Sequence, residues 1–232
     1  MAGAKDIKIK VIPSKIANDF IREHHYSGKV VNNSTLHFGA FLNRTLHGVM
    51  SFGSPLDKRK VLGLVVDKNG EPCKWNEMLE LNRMAFDDTL PKNSESRAIS
   101  IAFRLLKRNA PHIKWILSFA DGTQCGDGTI YRASGFRLTL IKKNTDCMIT
   151  KKGVVHTMTV KSSKTLMNKY GNWKDAMKGE YGDFTPLVGY QLRYIKILDN
   201  DYKLNCEDIP FSKIAEEGAR MYKGKRYASI VK

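Results

Sequence analysis

The chain has 232 residues, 42% of them hydrophobic and 27% charged, which suits one large α/β domain or a domain with an appendage. No apolar run is long enough to cross a bilayer, and the N-terminal MAGAKDIKIK lacks the apolar centre of a signal peptide, so the expectation is a soluble, cytoplasmic protein with no membrane partner. Thirty-nine Lys and Arg against 23 Asp and Glu give a formal charge of +16, a balance that calls for a polyanionic partner, most often nucleic acid.

In chain order, Ile7–Ile12 alternates apolar residues with lysines and predicts an edge strand. Ser14 is placed to cap a helix whose Ile16, Ala17, Phe20 and Ile21 recur at helical spacing, and which ends near His24–Tyr26 before Gly28. Strands follow at Leu36–Leu42 and Leu46–Phe52, with a short apolar stretch at Val61–Val66. Leu79–Phe86 reads as a central strand whose period-2 pattern slips after Arg83, as a β-bulge would make it do. A polar loop, Asp87–Ser96, leads to an amphipathic helix at about Arg97–Lys107, stopped by Asn109 and Pro111. Ile113–Phe119 is a buried strand. The glycine-rich loop Gly122–Gly128 comes next, then a short helix at Thr129–Ala133 with Gly135 behind it. Further strands are predicted at Phe136–Ile141, Val154–Val160 and Leu192–Leu198, with a helix-like Lys-rich segment at Lys164–Met177.

The charge is uneven. Between Arg137 and Lys178 stand ten basic residues against Asp146 and Asp175, a net +8, and Arg220–Lys232 holds five more with no acid. Clustered charge of one sign repels itself unless a partner neutralises it. Lys142, Lys143, Lys151 and Lys152 are therefore the candidate contacts to nucleic acid. The chain reads as a single domain over 1–232, with about 142–190 as a possible basic accessory region. Cys73, Cys125, Cys147 and Cys206 are scattered without a CxxC pair, which argues against a zinc ribbon and for reduced or buried thiols.

The element order resembles that of GNAT-type N-acetyltransferases, a mixed sheet flanked by helices in which a central strand is followed by a loop and a helix N-terminus able to hold a pyrophosphate. Several blocks narrow the resemblance: HYSG at 25–28, SFG at 51–53, ELNR at 80–83, SRAIS at 96–100 and SFADGTQCGDGTIYRASGF at 118–136. They occur in the order found in the Mom family of phage DNA-modification proteins. The segments IPFSK at 209–213 and GARMYK at 218–223 are also similar to that family's C-terminal part.

The resemblance implies a GNAT-like enzyme that converts adenine in double-stranded phage DNA to N6-carbamoylmethyladenine, a bulky group that blocks host restriction endonucleases. It places functional residues at His25, Tyr26, Arg83, Ser96, Asp121 and Tyr131. Tyr131 would be a general acid, the alternative being a tyrosine packed by its ring. Asp121 would act as a base or hold the adenine amino group, or else form the turn with Gly122. Arg83, Ser96 and Arg97 would bind an anionic donor, the alternatives being an ion pair of Arg83 with Glu80 or Asp87 and a capping role for Ser96. A metal ion between His25 and Asp121 is a further option. The donor stays open. The fold suggests acetyl-CoA, yet residues 91–100 carry none of the glycines of the usual coenzyme A loop. A stacked adenine would have to be flipped out of the duplex. An acetyltransferase acting on a protein or small amine, and a DNA-binding protein without activity, are the competing readings.

Overall fold

The computed structural model describes residues 3–55, 57–123, 125–222 and 225–226. The chain runs through β1 (Lys8–Val11), α1 (Ser14–His24), β2 (Ser34–Leu42), β3 (Thr45–Gly53), β4 (Val65–Asp67), β5 (Met78–Phe86), α2 (Ser94–Asn109), β6 (Trp115–Asp121), α3 (Thr129–Ala133) and β7 (Arg137–Lys143). It continues with β8 (Cys147–Thr150), β9 (Gly153–His156), α4 (Thr157–Lys161), α5 (Lys164–Tyr170), α6 (Trp173–Tyr181), β10 (Phe184–Pro186), β11 (Tyr190–Ile197), β12 (Tyr202–Leu204) and α7 (Ser212–Glu216). A seven-stranded sheet in the order β1-β2-β3-β5-β6-β11-β7 forms the centre, and β11, late in the chain, threads between β6 and β7. Every pairing in it is antiparallel except that of β5 with β6. This is the mixed sheet flanked by helices that the sequence indicates.

The two faces bury different helices. Val49 and Ala85 pack with Ile12, Ala17 and Ile21, so α1 covers one face. Met50, next to Val49, points the other way and joins Ile99, Phe103 and Leu106 of α2 with Tyr131 of α3 and Phe136. Alternation along β3 thus divides the molecule into an α1 side and an α2/α3 side. Gly48 sits where the ring of Phe86 crosses the sheet, and a Cβ there would lie 2.1 Å from that ring. Gly48→Ala is expected to lower stability by about 1–3 kcal/mol through overpacking. In urea unfolding, Gly48→Ala combined with Phe86→Leu should recover much of the loss.

Several expected boundaries shift. The bulge falls on β5 at Asn82: Ser51 pairs with Arg83, while its neighbour Phe52 pairs with Leu81. The cap position of α1 is Pro13, and Ser14 is the first helical residue. The long helix starts at Ser94, three residues before the expected Arg97, because Asn93 takes a left-handed conformation (φ 70°) that turns the chain into it. The expected strand Val154–Val160 stops at His156, whose Nδ1 accepts the Met158 N–H (3.1 Å) and so caps α4. The Lys-rich segment is two helices. They break at Gly171 (φ 76°), and Asn172 caps α6 by accepting the N–H groups of Lys174 and Asp175, both at 3.0 Å.

Between β7 and β11 the chain builds a three-stranded sheet, β10-β8-β9, with α4, α5 and α6. Met148, Val160, Ala176 and Met177 give it a small core of its own. Most of the basic tail expected at Arg220–Lys232 lies outside the described residues.

Candidate active site

The cleft is a consequence of how the parallel pair ends. β5 and β6 are in register only at Met78–Trp115, Leu79–Ile116 and Glu80–Leu117. β5 nevertheless runs on to Phe86 and β6 to Asp121. Past that point the strands part, and a cavity of about 650 Å³ opens between their C-terminal halves, the N-terminus of α2 and the loop before α3. This is the end at which open α/β sheets hold ligands. The Ser118 hydroxyl reaches across the gap to donate to the Leu81 carbonyl (3.2 Å), satisfying an acceptor that the departing strand leaves behind.

Asp121 is the last residue of β6. Its Oδ1 accepts the Thr123 N–H (2.9 Å) and the Thr123 hydroxyl, which fixes the turn, and its Oδ2 lies 3.5 Å from the Tyr26 hydroxyl. The turn-forming role and a role at the cavity therefore use different oxygens of one carboxylate. Burial, reinforced by the Asp121 charge, pushes the Tyr26 phenol well above its ordinary range, so that proton stays on.

His25 stacks beside Tyr26, with ring centroids 4.2 Å apart. Its Nδ1 accepts the Ser27 N–H (3.2 Å), which leaves the ring proton of the neutral form on Nε2. Burial and then the Arg83 cation push its pKa down to about 4, against the pull of Asp121. A neutral imidazole with a protonated Nε2 donates a hydrogen bond at pH 7. The same shift has a stability consequence. The folded pKa lies below the unfolded 6.5, so the contribution is complete above pH 6.5 and is lost as the pH falls towards 4. His25→Asn should flatten the decline of stability across that window, and the His25 ring in the native protein should show no NMR titration above about pH 5. Titration near 6.5 would contradict this environment.

Arg83 lines the cavity, but it pairs with neither Glu80 nor Asp87. Its Nε donates to the Lys29 carbonyl (3.0 Å) and Nη1 to the Asn82 carbonyl (2.8 Å). It thereby ties the segment that carries His25 and Tyr26 to the edge of β5. Asp87 pairs instead with His47 (2.8 Å).

On the α2/α3 side, Tyr131 is buried with its ring against Phe136 and Tyr194, both at 5.1 Å between centroids. Burial pushes its phenol up to about 12, with the Ser118 hydroxyl the main opposing influence. Tyr131 is also one of the residues that line the cavity, so a packed ring and a place on the cavity wall coexist. Gly128, at the start of α3, has φ 80° and a ring of Tyr194 2.6 Å from where a Cβ would be, so no other residue fits there without strain.

Ser96 also lines the cavity, as the third residue of α2 rather than its cap, and its hydroxyl donates to the Asn93 carbonyl (3.2 Å). Ser94 likewise donates to the Pro91 carbonyl. Arg97 turns away: its Nη2 donates to the Lys5 carbonyl (3.2 Å), and it is no part of the cavity wall. The fit of a coenzyme A diphosphate can be judged from these groups. Both serine hydroxyls bond back to their own loop, Glu95 stands at the cavity wall, and the loop has no glycine to let a phosphate approach the backbone. The residues do not form a diphosphate cradle. Lys92, Arg83 and the first-turn amides of α2 are the groups at this wall that could meet an anion.

Among the described residues, no three His, Cys, Asp or Glu side chains gather so as to hold a metal ion. Phe119, Cys125 and Met221 also line the cavity, and sequence reasoning passed over all three as site residues. Phe119 ends an apolar run indistinguishable in pattern from a buried strand. Met221 is brought in by the C-terminal segment that follows α7, a long-range contact with no local signal.

The four candidate lysines are exposed and lie outside the cavity. Lys142 and Lys143 end β7, and Lys151 and Lys152 form the turn between β8 and β9. Lys142 pairs with Asp146 (3.2 Å). Register ties Lys142 to the site: Gln191 of β11 is opposite both Lys142 and Asp121. All three thus share one row and one face, with Lys142 about 10 Å from Asp121 at two strand spacings.

Fold and cleft together define an α/β protein with an open cavity where the parallel strands β5 and β6 part. Residues 6–213 match the Mom protein family, and the chain belongs to that family. It is 41% identical over 138 residues to the methylcarbamoylase Mom of Escherichia phage Mu, a match covering 58% of this chain and 54% of that protein. The match therefore spans about half the length of the curated relative. Solved structures that resemble it include a Bacillus subtilis acetyltransferase in complex with CoA (TM-score 0.45, 12% identity, 82% of this chain and 98% of that one). Another is the ribosomal-protein-S18-alanine N-acetyltransferase of Escherichia coli (TM-score 0.45, 10% identity, 88% of this chain and 99% of that one). No helix among the described residues is long and apolar enough to cross a membrane.

Proposed function

We propose that this chain is a transferase that modifies the N6 amino group of adenine in double-stranded DNA, with N6-carbamoylmethyladenine as product, and so shields phage DNA from restriction endonucleases. The observation that carries this reading is the convergence of Asp121, Tyr26, His25 and Tyr131 on one cleft from three separate elements. The name of the phage Mu relative supports the group transferred, and the charge of +16 supports the polyanionic substrate.

In this reading each residue has a task. N6 must form one new bond to carbon and give up one proton. Asp121 Oδ2 stands at the α1 side of the cleft to hold the amino group and take that proton, with the Tyr26 hydroxyl beside it. The neutral His25 donates rather than accepts. Tyr131, protonated through the neutral range, supplies a proton to the group that leaves the donor from the α2/α3 side. An acyl-type donor of the acetyl-CoA kind would leave N6 on a carbonyl carbon. The carbamoylmethyl product instead needs a donor whose methylene carbon bonds to N6 as its bond to the leaving group breaks, and recognition of that donor does not rest on a diphosphate loop.

The lysines account for sequence-independent affinity. Lys142 lies in the row of Asp121, within reach of phosphates beside a base turned into the cleft. Replacing Lys142, Lys143, Lys151 and Lys152 together with Ala should weaken duplex binding on every sequence. It should also reduce the slope of log K against log salt by up to about 3.6, since each phosphate that a lysine neutralises contributes roughly 0.9. An unchanged slope would place these lysines away from DNA.

Resistance of DNA to cleavage tests the function in cells. Plasmid from cells expressing the chain should resist restriction enzymes whose sites contain adenine, while plasmid from cells expressing Asp121→Asn should be cut. Equal cutting of both would contradict the reading.

A further inference from the structure

Phe119 is out of place for its strand. Trp115, Ile116, Leu117 and Ser118 of β6 are fully buried and Ala120 nearly so, yet Phe119 keeps 44% of its surface exposed near the centre of a seven-stranded sheet. It is exposed because β5 has parted from β6 beside it, and its ring lines the cleft. A large aromatic left open on the wall of a cavity has apolar area to offer a flat ligand.

Its neighbours specify which ligand. Phe119 and Asp121 are two residues apart on one strand, so both face the same side, about 7 Å apart. Tyr26, itself 49% exposed, comes from α1's end to meet Asp121 Oδ2, and His25 stacks beside it with a donor nitrogen. The site thus combines one open aromatic face with acceptors and donors displaced along the strand. A purine laid on the Phe119 ring would bring an exocyclic amino group on its edge to Asp121. A peptide amine or a small aliphatic amine would use Asp121 but leave the ring uncovered.

We infer that Phe119 is the stacking platform for the target adenine once it leaves the duplex, and that it contributes to the preference for a base over other amines. This rests on the proposed action on DNA and adds the residue that receives the base. Stacking on an aromatic side chain offsets part of the cost of removing the base from its neighbours.

The test compares native protein, Phe119→Ala, Phe119→Leu and Phe119→Tyr at matched expression. It reads the fraction of modified adenine in plasmid DNA and the binding of each purified protein to unmodified duplex across a salt series. Phe119→Ala should lose about 10- to 100-fold in modification. Phe119→Leu should stay low, because it fills space without a π face, and Phe119→Tyr should rescue most of the loss. Duplex binding should stay within about twofold throughout, since phosphate contacts dominate it. Wild-type modification by Phe119→Ala, or by Phe119→Leu, overturns the platform while leaving action on DNA intact. Modification by none of the four proteins, the native one included, overturns both.

Discussion

Asp121→Asn is expected to lower adenine modification by about 10²- to 10⁴-fold, the range general acid–base groups contribute, while leaving the protein folded and bound to DNA. The reason lies in the division of labour between its two oxygens. Oδ1 holds the turn by accepting from Thr123, and the amide oxygen of Asn can take over that contact. The second position, facing Tyr26, becomes an amide nitrogen that cannot accept a proton. Removing a negative charge from the row that also holds Lys142 should tighten duplex binding slightly. Full activity in Asp121→Asn, with folding confirmed, would reduce Asp121 to a turn residue.

Tyr131→Phe carries the second large effect, a loss of about 10²-fold or more in modification with near-native stability. The ring keeps its contacts with Phe136 and Tyr194, so packing survives the change. What disappears is a hydroxyl whose proton burial retains to about pH 12, which suits it to act as an acid rather than a base. The effect of disturbed packing is separated by Tyr131→Leu, which should destabilise the fold as well. Equal activity of Tyr131→Phe and the native protein would assign this tyrosine to the core alone.

How far the sequence disclosed this site depends on the kind of signal. The central strands and both main helices were legible because their apolar periodicity follows from burying one face. The slip in β5 was legible too, since a bulge disrupts alternation in the one dimension a sequence displays. Helix starts were less so: Asn93 begins α2 through a left-handed backbone that many polar loop residues could adopt, and the expected start fell three residues late. The cleft itself had no local signature. It exists because two parallel strands stay paired over three residues and then diverge, a property of the pair and not of either strand. Phe119 was for that reason read as core. Arg97 was placed at the cavity by its position after a polar loop, whereas the helix phase turns it towards Lys5. The lysine cluster was visible as composition, but its relation to Asp121 through Gln191 required the register of β11 between β6 and β7.

Nucleoside mass spectrometry of plasmid DNA from cells expressing the native chain or Asp121→Asn is the most direct test of the central claim. The native chain should yield an adenine nucleoside heavier by a carbamoylmethyl group on N6, absent from the variant's DNA. Unmodified adenine from soluble, folded native protein, or the same modified nucleoside from both strains, would contradict the assignment of adenine modification to this cleft.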